Sequence, residues 1–498
     1  MSKSLQRSSS VLAPASWMAL LSSLVLALAL GCPGRPETPP PSEGEGEGEG
    51  EGEGEGEGEG EGEGEGEGEG EGEGEGEGEG EPPVSSLAHA KQGQGGALID
   101  FDGDGQDDKV VGAPWATWGD AVGVLLVYRG TALGFETTPT WRLTGDDNLG
   151  FAMARLPDVD GDGHDELAVS ALTGDGSETA LSGSVTLYRG GTGGQVLANV
   201  AAGQPGAKFG YALATGDLNA DGVADLVVGA PYQSPSAALY QQGAAHVFLG
   251  PSFTTALPLL ASSVNKGLGW SVAAGDVDAD GVDDLLLGAN TKVLGWRGGA
   301  NFAPTIDAPE LTVTSSATTF GRSLAVTNEF LLVGAPKATV SGQRDTGTLF
   351  MLTKASLPRT LDLGAAPADL VLAINGPGLF ARFATGLCAV GDVDGDGHGD
   401  LMVGATGADV DQDDMRGRSY YFPGSALVAG ATLANATTYS GTGRFQAFGT
   451  TFAAGGDHRL LIGAPGDAGD VGRAFVVDLQ TRQPVRGGES GGLSGASP

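Results

Sequence analysis

The chain runs to 498 residues and carries 64 acidic against 26 basic side chains, a formal net charge of −38. A surface that negative repels polyanions, which excludes nucleic acid as a partner. Two cysteines exclude a disulfide framework, and five histidines, none paired at zinc-ligand spacing, exclude a zinc centre.

At the N-terminus Lys3 and Arg7 precede an apolar stretch from Val11 to Leu30 that stops at Gly31-Cys32. A basic start, an apolar run and a small residue before the cut describe a secretory signal over residues 1–31. The ending Ala29-Leu30-Gly31-Cys32 resembles a bacterial lipobox, which implies lipidation of Cys32, although Ala29 stands where leucine is preferred. An ordinary signal peptide and an uncleaved membrane helix are the alternatives. Pro33 replaces the aspartate that retains lipoproteins at the inner membrane, so the expected address is the outer membrane or cell surface.

Residues 32–83 form a linker, with strict Glu-Gly alternation from Glu43 to Glu81 between Pro39-Pro40-Pro41 and Pro82-Pro83. Alternate glycines forbid a stable helix and the glutamates repel one another, so a disordered, extended spacer is expected. At full extension this tract reaches on the order of 130 Å. The bland alternative is a slippage-prone repeat tolerated because it does no harm.

From residue 84 to 498 one phrase recurs seven times. Its clearest copy reads Phe209-Gly210, then an acidic loop from Asp217 to Asp225, then an apolar strand ending in Gly229-Ala230-Pro231. The exits begin at Gly112, Ser170, Gly229, Gly288, Gly334, Gly404 and Gly463, in steps of 58, 59, 59, 46, 70 and 59. The short and long steps together equal two ordinary ones, so one supersecondary unit is stacked repeatedly. Short apolar runs bounded by Gly, Pro and Asp read as strands. In the third unit the first strand is expected over 209–215 and the second over 226–229. The third strand is exemplified by Val124–Gly130, Val185–Gly190 and Phe475–Asp478, and the fourth by Thr140–Leu143. Four antiparallel strands repeated radially make an all-β propeller, with a β-solenoid or a string of small β-domains as alternatives. The outer strand of the seventh blade falls either to Val84–Leu87 or to Thr481–Arg486.

These residues resemble the FG-GAP repeat family, whose best-known members are the head domains of integrin α subunits. The resemblance covers residues 84–498 and implies a seven-bladed β-propeller. The chain departs from the pattern at Gln92-Gly93, Leu149-Gly150 and Leu268-Gly269 in the aromatic-Gly slot, and at Ser170-Ala171-Leu172, Asn290 and Thr406 in the exits.

Five loops place oxygen-bearing residues at alternate positions: Asp100, Asp102, Asp104 and Asp108; Asp158, Asp160, Asp162 and Glu166; Asp217, Asn219, Asp221 and Asp225; Asp276, Asp278, Asp280 and Asp284; Asp392, Asp394, Asp396 and Asp400. Calcium takes six to eight oxygens at roughly 2.3–2.6 Å, and alternate residues of a tight loop can converge on such an ion. Up to five calcium ions are therefore expected. Position seven (Gln106, His164, Val223, Val282, His398) varies freely, as a backbone-carbonyl ligand would allow. Gly105, Gly163, Gly222, Gly281 and Gly397 follow the third ligand, where a sharp turn is expected and a Cβ would obstruct it. Units five and seven have Val326–Phe330 and Gly455–Arg459 at this place and lack the ligands. Residues 84–498 hold 43 acids and 23 bases, and the five loops supply 19 of those acids as candidate ligands, so the fold is expected to depend on calcium.

Catalytic signatures are scarce. Gly269-Trp270-Ser271-Val272-Ala273 brushes against a nucleophile elbow but occupies an aromatic-Gly slot, which reads as strand. Cys388 reads as a buried free thiol. On the face opposite the acidic loops the connections hold Trp115, Trp118, Asp120, Tyr232, Tyr240, Arg344, Asp345, Asp409, Asp411, Asp413, Asp414 and Arg416, a composition suited to a protein or glycan ligand, with ordinary loop composition as the alternative. The expected function is a monomeric, lipid-anchored, calcium-binding adhesion or binding module without enzymatic activity. A carbohydrate- or lipid-active enzyme and a structural envelope protein are the alternatives.

Overall fold

The computed structural model describes residues 94–497 apart from 119–120, 146–147, 173–181, 202–203, 235, 237–240, 262–265, 356–357, 366–369, 409–414, 442–445, 457, 467–471 and 486–492. The signal peptide, Cys32, the Glu-Gly linker, Val84–Leu87 and Gln92-Gly93 lie outside the described residues, as do Asp120, Tyr240, Asp409, Asp411, Asp413, Asp414 and Asp457.

Each repeat opens with two strands joined by its loop. In repeat three, Ala212–Gly216 pairs antiparallel with Asp225–Ala230, which pairs with Ala244–Phe248 and then Ala256–Leu260. The register Ala212↔Gly229 and Gly216↔Asp225 puts the aromatic-Gly slot and the exit at one end of the sheet and the acidic loop at the other. The second strands Glu166–Ala171, Asp225–Ala230, Asp284–Ala289, Phe330–Ala335 and Asp400–Ala405 are buried at every residue. A strand covered on both faces has no polar side to show, which is why these runs are continuously apolar.

The chain is all-β in a propeller arrangement of four-stranded sets. Seven separate blades were expected; the described residues form five separate sheets of four or five strands, and repeats one and two share one sheet of eight. The two are joined by a single parallel pair, Gly123↔Leu149. A Cβ at Gly123 would lie 2.2 Å from the Leu149 nitrogen, so only glycine allows the third strand of repeat one to come within hydrogen-bonding range. Two fifth strands were also unforeseen: Arg359–Asp362 lies parallel to Leu311–Thr314, and Leu493–Ser497 antiparallel to Thr437–Gly441.

Among the described residues the buried apolar side chains gather in seven clusters, and each belongs to two consecutive repeats. Phe209 and Leu226 of repeat three pack with Leu156 and Val185 of repeat two. Leu98 and Val111 of repeat one pack with Leu461 and Val476 of repeat seven, which closes the ring. Hydrogen bonds reinforce that closure, from Thr451 Oγ1 to the Gln94 carbonyl (2.6 Å) and from the Gly456 N–H to Asp107 Oδ2 (2.7 Å). Gln483–Pro484 pairs with Arg473–Asp478, so the C-terminal alternative supplies the outer strand of repeat seven.

The exit glycines have a common cause. A Cβ would lie 2.0 Å from the Gly150 carbonyl oxygen at Gly112, 2.2 Å from that of Gly269 at Gly229, and 2.0 Å from that of Gly449 at Gly404. The Gly of one Gly-Ala-Pro exit thus bears directly on the aromatic-Gly backbone of the next repeat. At the slot of repeat six Ala384 replaces glycine and holds a φ of 63°.

Candidate metal centres and the opposite face

Position nine begins the second strand and is 0% exposed in all five loops. One oxygen accepts the N–H of position two: Phe101 to Asp108 (3.0 Å), Val159 to Glu166 (2.8 Å), Leu218 to Asp225 (3.0 Å), Val277 to Asp284 (2.9 Å) and Val393 to Asp400 (2.9 Å). In four loops the other oxygen accepts the N–H of a glycine just beyond the third strand, Gly130, Gly250, Gly298 or Gly424. This carboxylate ties three pieces of chain together. Burial pushes Asp108, Asp225 and Asp284 up to about 6 and Glu166 up to about 7, since desolvation favours the neutral acid.

Position one organises the turn. Asp100 accepts the N–H groups of Gly103 (2.9 Å), Asp104 (3.1 Å) and Gly105 (2.8 Å), and Asp392 those of Gly395, Asp396 and Gly397. Position five takes the N–H of position seven in every loop: Gln106, His164, Val223, Val282 and His398, at 2.9–3.0 Å. The glycines after the third ligand have φ between 85° and 93°, and a Cβ at any of them would meet nothing within 4 Å. The expected obstruction is therefore not the reason for glycine; the left-handed backbone is.

Among the described residues, carboxylate oxygens lie within 4.8 Å of one another in four groups: Asp100, Asp102 and Asp108; Asp158, Asp160 and Asp162; Asp276, Asp278 and Asp284; Asp392, Asp394 and Asp400. Asp104, Asp280, Asp396 and Glu166 fall outside these groups. In loop three no three carboxylates gather, because Asn219 holds the second slot and its Nδ2 donates to Asp221 Oδ2 (2.9 Å). An all-oxygen donor set suits a hard cation. Glu166 supports the fit, since its Oε1 is buried without a hydrogen-bond partner.

Position seven is less free than expected. His398 Nδ1 lies 3.0 Å from Glu329 Oε1 in the short hairpin of repeat five, and His164 Nδ1 lies 3.9 Å from Asp100 Oδ2. The sequence reading also missed a set of arginines at the end of the third strand. Arg129 Nη2 sits 2.7 Å from Asp102 Oδ2, Arg189 pairs with Asp160, and Arg297 pairs with Asp278. The signal was available as an Arg-Gly dipeptide after the strand, at Arg129-Gly130, Arg189-Gly190 and Arg297-Gly298.

At the other end of the sheets aromatic rings from successive repeats touch. Trp115 meets Phe151 (centroids 6.1 Å apart), Phe151 meets Tyr211 (5.4 Å), Tyr211 meets Trp270 (4.9 Å), and Tyr232 meets Trp270 (5.2 Å). The Arg322 guanidinium lies 3.6 Å from the Trp270 ring centroid. Phe151, Tyr211, Trp270 and Arg322 each follow the slot glycine of their repeat, a periodicity visible in the sequence but passed over. Ser271 is not poised as a nucleophile: its Oγ is buried and donates to the Gly321 carbonyl of the next repeat (2.6 Å). Cys388 is a free thiol but half-buried instead of fully buried as expected, and desolvation pushes it up to about 12.

The FG-GAP repeat family matches residues 209–248, 268–295 and 383–422, and the FG-GAP-like repeat matches residues 158–228. The chain carries FG-GAP repeats. The three FG-GAP matches each begin at the aromatic slot of a repeat and end in its third strand. Integrin alpha pat-2 of Caenorhabditis briggsae is 32% identical over 254 residues, 46% of this chain and 20% of that protein. Integrin alpha-V of Gallus gallus is 30% identical over 229 residues, 42% of this chain and 21% of its own. Phosphatidylinositol-glycan-specific phospholipase D of Homo sapiens is 37% identical over 91 residues, 17% of this chain and 11% of that one. The FG-GAP chain thus spans about a fifth or less of the length of these relatives. Among its described residues no helix is long and apolar enough to cross a membrane.

Proposed function

We propose that this FG-GAP protein is an exported, lipid-anchored, calcium-loaded binding module that grips a protein or glycan through the face opposite its acidic loops. The carrying observation is the aromatic run from Trp115 to Trp270, which crosses repeats one to four and includes a Trp115 ring 36% exposed. Such rings offer large contact area at little entropic cost, the usual currency of protein and glycan recognition. The similarity to integrin alpha chains supports the same reading.

In this reading the propeller has seven blades, with repeats one and two counted apart although their strands share a sheet. Calcium occupies up to five loops, held by Asp100, Asp102, Asp104 and Asp108 in the first and by the matching side chains in the others, with position-seven carbonyls completing each shell. The ions neutralise clustered carboxylates and join first strand to second. Cys32 carries the lipid, the Glu-Gly tract spaces the module from the membrane, and the protein acts as a monomer.

The test is an array of glycans and surface proteins probed with the full chain, in calcium and in chelator, beside Trp270→Ala. Specific binding that is lost in chelator and reduced at least about tenfold by Trp270→Ala is the expected outcome. Hydrolysis of a lipid or glycan substrate without stable binding overturns the module reading in favour of an enzyme.

A further inference from the structure

The five loops differ in one respect that the alternating acids conceal. Loops one, two and four have aspartate at position three, and each has an arginine on it: Arg129 on Asp102, Arg189 on Asp160, Arg297 on Asp278. Loop three has Asn219 there, and the arginine position is Leu249. Counted over the four side-chain ligand positions alone, these loops carry the same balance, four acids less one guanidinium or three acids alone, while position eight adds Asp107, Asp165 and Asp283 outside the ligand set of loops one, two and four.

Loop six breaks the rule. It keeps four carboxylates, Asp392, Asp394, Asp396 and Asp400, but Pro423 stands at the arginine position. Among the described residues none of the four pairs with an arginine or lysine; their added partners are the N–H groups of Gly424 and Ser425 and the Tyr421 hydroxyl, and the nearby His398 is engaged by Glu329 at 3.0 Å. Asp394 is exposed, whereas the arginine-covered Asp102, Asp160 and Asp278 side chains are 9%, 11% and 1% exposed.

We infer that the loops form two affinity classes, with loop six the single tight calcium site and the arginines holding loops one, two and four in the weaker class. The inference rests on the calcium reading above. A guanidinium bound to a ligating carboxylate takes up part of its charge and repels the incoming dication. At a separation of roughly 5 Å that repulsion weakens binding by about tenfold or more even at the dielectric of water. In loop three the arginine is unnecessary because the amide of Asn219 has already removed the fourth charge. The pairing of arginine with position-three aspartate thus sets a competing cation on the ligand itself, and its omission in loop six marks that site.

The test is calcium binding to the full chain, followed by competition with a chromophoric chelator and by isothermal titration. The wild type is expected to show one tight site and a weaker remainder. Asp394→Asn, which gives loop six the donor set of loop three, should abolish the tight class and leave the total number of sites unchanged. Arg129→Gln should raise the tight class from one to two, and Arg189→Gln or Arg297→Gln should do the same if that variant fails to fold. Survival of the tight class in Asp394→Asn, or a single tight site in all three arginine variants, overturns the inference. A wild-type chain that binds no calcium overturns the parent reading instead, so the two failures are distinguishable.

Discussion

At the scale of single residues, the position-nine carboxylate is the hinge of each loop. Asp284 is fully buried and accepts the N–H groups of Val277 and Gly298, both at 2.9 Å. Asp284→Ala would leave two buried donors unsatisfied, which costs about 3–5 kcal/mol and destabilises the chelated protein as well as the loaded one. Asp280→Ala, at the exposed position five, should leave chelated stability within about 1 kcal/mol and reduce only the gain from calcium. Denaturant unfolding of both variants with and without calcium separates the two roles. The alternating acids were legible because the spacing is local. The second role of position nine was not, because the glycine it meets lies 14 to 25 residues away. The loop glycines were recognised for the wrong reason, since a sequence shows that a side chain is missing but not whether φ or crowding demands it. The arginines were passed over because Arg-Gly reads as an ordinary strand end until the neighbouring loop is folded against it.

At the scale of elements, the Gly-Ala-Pro exit and the aromatic-Gly slot act as one joint split between neighbouring repeats. Gly229→Ala would drive a Cβ to 2.2 Å from the Gly269 carbonyl oxygen, a backbone contact that cannot swing aside. A loss of at least about 3 kcal/mol is expected, read as a fall in melting temperature with calcium present. The slots and exits were legible as punctuation, but that an exit serves the next repeat appears only when the repeats are stacked. The added strands were beyond the sequence for another reason. Arg359–Asp362 and Leu493–Ser497 pair with outer edges whose availability depends on the closed ring. Truncation after Val485 should therefore leave the propeller folded while uncovering the Thr437–Gly441 edge. Concentration-dependent association in size-exclusion chromatography is the expected sign, because an open edge invites pairing.

For the molecule as a whole, the acidic loops couple stability to pH. Asp108, Asp225 and Asp284 titrate near 6 and Glu166 near 7 in the fold, against 3.8 and 4.5 for the free side chains. The folded state thus holds these protons more tightly than the unfolded chain, so metal-free stability falls as pH rises from about 4 to about 7. Calcium displaces the same protons and should reverse that fall. Melting curves at pH 5 and pH 7.5 should show the chelated protein losing several degrees and the calcium-loaded protein losing none. Equal slopes in both conditions would count against metal binding at these loops.

Seven shared cores make the ring a chain of links in which six joints are also spanned by the polypeptide. The seventh, between repeats seven and one, is held by Leu98 against Leu461 and by the Thr451 and Gly456 hydrogen bonds. Among the described residues each of those repeats completes its own four strands, and none of these is threaded into the other repeat. Mechanically, this seam is a clasp. If loop one holds calcium as proposed, its filling bears on this clasp, because Asp107 accepts from Gly456 across the seam and adjoins the buried Asp108.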